Sequence, residues 1–158
     1  MIFETREEVD VPRDFAFWRF ADFTRYEQAA RGYGAEIRRV NGFTEMTEGV
    51  SWRGSVVVRG KTRGVEATVT VLNPPERAQM QTVVGGMRVD VDLTFEELAP
   101  EKTLVRASAQ LKATTLGARL ILQTVKLARK KVQGKIDSRI VALGNQFEND
   151  YRRQQRRG

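Results

Sequence analysis

The chain contains no cysteine and no histidine. The first absence excludes a disulfide framework, a thiolate nucleophile and zinc–sulfur coordination. The second removes the commonest metal ligand, the usual general base near neutral pH and every Ser-His or Cys-His nucleophilic pair. Any catalysis must therefore use carboxylate, lysine, tyrosine or arginine chemistry, or positioning alone. Tyrosine is itself scarce, with three in 158 residues. No apolar run approaches the roughly 18 residues of a membrane span. The opening MIFETREEVDV carries charge from Glu4 onward and lacks a basic-then-apolar leader, so the cytoplasm is the expected location. No cofactor and no metal site is expected.

What is present fits one globular domain over residues 1–158. A chain of this length can bury about two-thirds of its unfolded surface. Its composition is 41% hydrophobic and 30% charged. Charge is unevenly spread: residues 1–100 hold 13 Lys+Arg against 16 Asp+Glu, a net of −3, whereas residues 101–158 hold 14 against 4, a net of +10. The basic character belongs to the C-terminal third alone.

The hydrophobic pattern predicts strand, two short helices, six strands and one long helix. IFETREEVDV alternates as a strand with one wet face. Pro12 opens the first short helix, and Asp22 or Thr24 caps the second, which ends at Gly32–Gly34. AEIRRVNGF, GVSWRGSVVVRG and KTRGVEATVTVLNPP follow as strands between glycine-bearing turns. RAQMQTVV and MRVDVDLTFEEL flank Gly85-Gly86 as a hairpin, and TLVRASAQLKA makes the seventh strand. In the second hairpin strand Met87, Val89, Val91, Leu93 and Phe95 face inward. From about residue 115 to 153 the period becomes helical, with Val125, Val132, Ile136, Ile140 and Phe147 on one face, for a length of about 60 Å. Gly117, Gly134 and Gly144 are candidate bends. The expected architecture is α+β: a curved seven-stranded antiparallel sheet whose apolar face is covered by the long helix.

The segment VPRDFAFWRFADFTRYEQ, with Pro12, Phe17, Phe20 and Asp22, together with LNPPER and LTFEEL followed by KTLVRASAQL, resembles the START-like or SRPBCC superfamily, which includes birch-pollen-allergen-like proteins and polyketide cyclases. The resemblance spans essentially the whole chain, through motifs that specify architecture and not chemistry. It implies a helix-grip fold with a deep apolar cavity for lipids, sterols, quinones, polyketides or other hydrophobic small molecules. Some relatives of this kind are cyclases or hydratases, others carry or sense a ligand, and some join partner proteins.

Candidate ligand-binding residues follow from the expected inner faces: Trp52, Val56 and Val58 on one strand, Val91 and Phe95 on another, Val125, Arg129 and Val132 on the long helix, and Glu66. Each has an alternative role. Trp52 is a core aromatic or a wall that stacks on a ligand ring. Glu66 is a solvated surface acid if its strand's valines face inward, and otherwise a pocket carboxylate that needs a cation. Arg129 covers the helix edge or anchors a ligand carboxylate or phosphate. Glu7 and Arg39 are weaker polar candidates, and Gly32–Gly34 and Gly85–Gly86 are candidate gate elements. The basic run KLARKKVQGK lacks interleaved aromatics, which disfavours a nucleic-acid partner. An anionic membrane surface is the better candidate for it. The expected function is binding or transport of a hydrophobic small molecule or lipid, with a polyketide cyclase or aromatase activity as the alternative. The oligomeric state is left open by the sequence.

Overall fold

The computed structural model describes residues 1–40 and 42–158. Seven strands are formed: β1 (Ile2–Val9), β2 (Glu36–Arg39), β3 (Ser51–Val58), β4 (Lys61–Asn73), β5 (Arg77–Val84), β6 (Met87–Ala99) and β7 (Lys102–Ala113). Helices α1 (Arg13–Phe20) and α2 (Phe23–Gly32) sit between β1 and β2, and α3 (Leu116–Leu127) and α4 (Arg129–Arg157) close the chain. Residue 41, within the expected second strand, lies outside the described residues.

The strands form one antiparallel sheet in the order β1-β7-β6-β5-β4-β3-β2. Five hairpin neighbours follow chain order, and the first strand pairs with the last, from Ile2 opposite Gln110 to Val9 opposite Thr103. The architecture is the helix-grip fold implied by the sequence motifs.

Local chemistry sets the boundaries. Pro12, with φ −61°, precedes α1 without a side-chain cap. Asp22 caps α2 by accepting a hydrogen bond from the Thr24 amide at 2.8 Å, and Thr115 caps α3 through the Ala118 amide at 3.2 Å. Along β4 the alternation breaks at a register shift between Val69 and Val71. Before the shift Val65, Ala67 and Val69 face inward; after it Leu72, opposite Ala78, takes the inner place and Val71 does not. At the far edge β2 approaches β3 so closely that a Cβ at Gly54 would overlap the Glu36 carbonyl oxygen.

The C-terminal helical region differs from the expected single helix. It is interrupted at Ala128, whose φ of −101° and ψ of 22° end α3 and begin α4. None of the three glycines makes the break. Gly117 and Gly134 face open space, while Gly144 is buried against β1, where a Cβ would lie 3.3 Å from Val9 Cγ2. Two sets of anchors hold the two helices. Arg59, in the β3–β4 turn, donates to Thr124 Oγ1 of α3 across 3.5 Å. Arg129 and Gln133 of α4 donate to the Ile2 and Glu4 carbonyl oxygens, both at 2.8 Å. Thr5 donates to Asp137, and the Asp10 amide to Glu148, further along α4. Helix α4 therefore lies along the edge strand β1 and occupies backbone groups that an edge leaves free.

Candidate functional site

The inner face of the sheet divides into two unlike halves. Toward α1, α2 and the second half of α4 it is filled. One core cluster joins Val9, Phe17, Leu93, Phe95, Val105 and Ile140. A second joins Val50, Trp52, Val69 and Met80 beneath Phe23 and Tyr26. Phe17, Phe20 and Phe95 meet edge to face, and Phe20 meets Phe147 at 4.9 Å between ring centroids. The internal space bounded by Tyr26, Met46, Leu72, Met80 and Val91 amounts to ≈ 10 Å³. That is about the room of a single water and too little for a ligand.

This closed half has its own polar centre. The Trp52 indole N–H donates to Glu27 Oε1 at 3.2 Å, and Arg39 Nε donates to the same oxygen at 2.8 Å. The Arg39 guanidinium also lies 4.5 Å above the Phe23 ring. Glu27 is thus a buried carboxylate whose charge is matched by Arg39 and whose hydrogen bonds fix Trp52. Beside it, burial pushes the Tyr26 hydroxyl up to about 12. Trp52 itself is 1% exposed. Its ring is enclosed by Phe23 and Tyr26, so the structure places it in the core.

Toward the β3–β4 and β5–β6 turns the same inner face is apolar but only half-buried. Val56, Val58, Val65, Val84, Val89 and Leu111 are half-buried there, and none belongs to either core cluster. Helix α3 crosses this end. Its start is tied to the β5–β6 turn, where Thr114 donates to the Gly86 carbonyl oxygen, and its end to the β3–β4 turn through Arg59 and Thr124. A Cβ at Gly86 would overlap Thr115, so the turn fits beneath the helix only as glycine. The half-buried positions of α3 are Ile121, Leu122 and Val125, whereas Leu116, Leu120 and Leu127 are exposed. The result is a half-buried apolar face of the sheet beneath α3, referred to below as the recess.

Arg63 is the notable polar group on this half. Its register opposite Val56, two residues before Val65, puts it on the inner face. Its side chain runs past Gly85, where a Cβ would sit 3.3 Å from Nη1. The Nε atom is buried without a hydrogen-bond partner among the described residues. Lys61, opposite Val58, lies on the same face at the rim.

The candidates proposed from sequence separate accordingly. Val56 and Val58 line the open half, and Val125 is on the helix that crosses it. Val91 adjoins the small internal space, half-buried. Phe95, like Trp52, is core. Val132 is half-buried on α4. Glu66 faces outward, where it pairs with Arg53 at 3.4 Å and stays 64% exposed; its strand's valines take the inner face. Arg129 bonds the Ile2 carbonyl and stacks 5.0 Å from Phe3, at the β1 edge. Arg39 serves Glu27, and Glu7 faces Gly144 of α4. Sequence inspection missed Arg63 because β4 alternates ambiguously, with a polar residue on both faces near its start. A signal was available: residues 49–65, 77–89 and 102–136 contain no Asp or Glu. These stretches supply the strands, turns and helix around the recess, which is therefore free of acidic side chains from them.

Two wider recesses, of ≈ 550 Å³ and ≈ 580 Å³, lie on the outer face. Both are lined by charged side chains, and Asp92 in the first is already held by Arg77 through two bonds of 3.0 and 2.8 Å. That pairing holds the Asp92 carboxyl below its ordinary value, first through the hydrogen bond from Arg77. These are features of a wet sheet face.

No family model and no curated protein matches the chain. Solved structures do. The Zhui aromatase/cyclase from Streptomyces sp. R1128 superposes with a TM-score of 0.62 at 16% identity, over 94% of this chain and 93% of that one. Norcoclaurine synthase from Thalictrum flavum gives 0.62 at 8%, over 94% and 84%. A START superfamily protein from Mycobacterium smegmatis gives 0.54 at 12%, over 85% and 95%. At such identities the likeness concerns the fold, and the fold is START-like: a helix-grip domain of the SRPBCC type.

Proposed function

We propose that the protein binds a hydrophobic small molecule or lipid in the recess between the inner sheet face and α3. One observation carries this reading: Val56, Val58, Val65, Val84, Val89 and Leu111 on the inner face stay half-buried and outside both core clusters although α3 crosses that end. Well-ordered proteins fill such space with side chains, and large apolar recesses with few polar groups are the usual form of a ligand site. The similarity in fold to an aromatase/cyclase and to a START superfamily protein supports the same reading. Affinity comes mainly from apolar surface removed from water, at about 25 cal/mol per Å² before ordering costs. A cyclase reading has weaker support, because no carboxylate is contributed to the recess by residues 49–65, 77–89 or 102–136.

Native mass spectrometry of the protein purified from its own host, followed by organic extraction, tests the proposal. A stoichiometric adduct lost on denaturation is expected. A clean apo mass, with no retention of added hydrophobic probes, overturns it.

Loading is proposed to occur at an anionic membrane surface. Among the described residues no helix is long and apolar enough to cross a membrane. Leu116, Leu120 and Leu127 are nevertheless 74%, 60% and 91% exposed on α3. They are interspersed with Arg119 and Lys126 and followed by Arg129, Lys130 and Lys131. Exposed leucines with adjacent cations suit an interface with anionic headgroups. Co-sedimentation with liposomes is expected to rise with anionic lipid and to fall in a Leu116→Ser, Leu120→Ser, Leu127→Ser variant. Sedimentation independent of lipid charge and of these leucines contradicts the route.

A further inference from the structure

We infer that the recess takes an anionic amphiphile, and that Arg63 anchors its acidic head group while the apolar body lies along Val56, Val65 and Val89. This rests on the proposal that the recess binds a hydrophobic ligand, and adds the chemical class of that ligand. Three independent features point to it. Arg63 stands on the inner face by its register opposite Val56. Its Nε is shielded from water and bonded to nothing among the described residues, although buried guanidinium donors are ordinarily satisfied. Finally, none of the chain segments around the recess supplies an acid: residues 49–65, 77–89 and 102–136 hold none, while Lys61 and Arg63 face inward from β4.

Elsewhere in this protein an inward arginine is given its own carboxylate, as Arg39 is given Glu27 at 2.8 Å. Arg63 is given none. A guanidinium donor shielded from water and left without a partner is costly, and a bound acid supplies that partner. The guanidinium presents its donors as a planar fork, which suits the two oxygens of a carboxylate or of a phosphate monoester. Gly85 keeps the approach clear, since its missing side chain leaves the space beside Nη1. The long apolar valine stretch determines the other end of the molecule.

The test compares two probes that share one apolar body: 11-(dansylamino)undecanoic acid and its primary amide, titrated by fluorescence into the wild type, Arg63→Gln and Arg63→Lys. In the wild type the acid is expected to bind about ten- to hundredfold tighter than the amide, as for a hydrogen bond to a charged group. Arg63→Gln is expected to abolish that preference while leaving amide affinity in place. Arg63→Lys is expected to keep part of it, because charge is retained without the fork. Equal binding of acid and amide by the wild type overturns the inference and leaves the hydrophobic-ligand proposal standing. A preference that survives in Arg63→Gln assigns the anion to another cation and overturns the role of Arg63. Binding of neither probe counts against both. The wild-type comparison stands alone if a variant does not fold.

Discussion

Truncating Trp52 separates a core role from a ligand-contacting one. Its indole is enclosed by Phe23 and Tyr26, with ring centroids 5.9 and 5.7 Å away, and its N–H is held by Glu27. Trp52→Ala removes these contacts and opens a cavity, for which about 3–5 kcal/mol is the usual cost. The Glu27 carboxylate keeps Arg39, so the further penalty for an unpaired charge is small. Against a typical net stability of about 5–15 kcal/mol, the loss is about a fifth or more of what holds the fold. Trp52→Phe keeps an aromatic ring in place and loses the N–H bond to a charged acceptor, so about 1–3 kcal/mol is expected. Urea denaturation followed by circular dichroism measures both, and at about 2 kcal/mol per molar urea Trp52→Ala should lower the midpoint by roughly 2 M. The dansyl probe is measured on the same samples. Trp52→Phe should leave its affinity unchanged, because the indole belongs to the filled half of the sheet face. A cost below about 1 kcal/mol for Trp52→Ala, or a tenfold loss of probe affinity in a fully stable Trp52→Phe, would refute the division into closed and open halves.

Tyr26 should ionise near 12 in the folded protein, and spectrophotometric titration of wild type against Tyr26→Phe identifies the step. Because the folded value is raised, the stabilising effect is complete below the unfolded value of about 10 and is lost as pH climbs through 12, by about 3 kcal/mol in all. Gly144→Leu should destabilise by about 1–3 kcal/mol in thermal unfolding, since the helix has no room at Val9. Gly134→Ala, on the same helix in open space, should instead stabilise by up to about 1 kcal/mol. If both variants behave alike, tight packing of α4 on β1 is not what decides the effect. Glu66→Gln should leave probe affinity and stability nearly unaltered, because an exposed pair such as Arg53–Glu66 contributes at most about 1 kcal/mol. A large change in probe affinity would return Glu66 to the site.

The sequence alone determined the order of the seven strands and the first two helices, because period-2 and period-3.6 patterns are local. The alternation of Met87 to Phe95, the Asp22 cap and the Gly85-Gly86 turn all act within a few residues, and they appear where their chemistry demands. It also excluded histidine and cysteine chemistry outright. Tertiary structure decided what each inward residue faces. Periodicity places Trp52 and Val56 on one face of β3, yet only the docking of α1 and α2 closes the first and leaves the second half-open. Strand alternation could not say which face of β4 turns inward; the sheet pairs Arg63 with inward Val56 and Glu66 with outward Arg53, and the shift after Val69 then moves the inner place from Val71 to Leu72. The break at Ala128 has no proline or glycine to announce it; it falls between anchors at Arg59 and Ile2, residues 65 and 127 positions away from their partners. Such contacts are set by where the sheet brings distant segments together, and no short-range pattern encodes them.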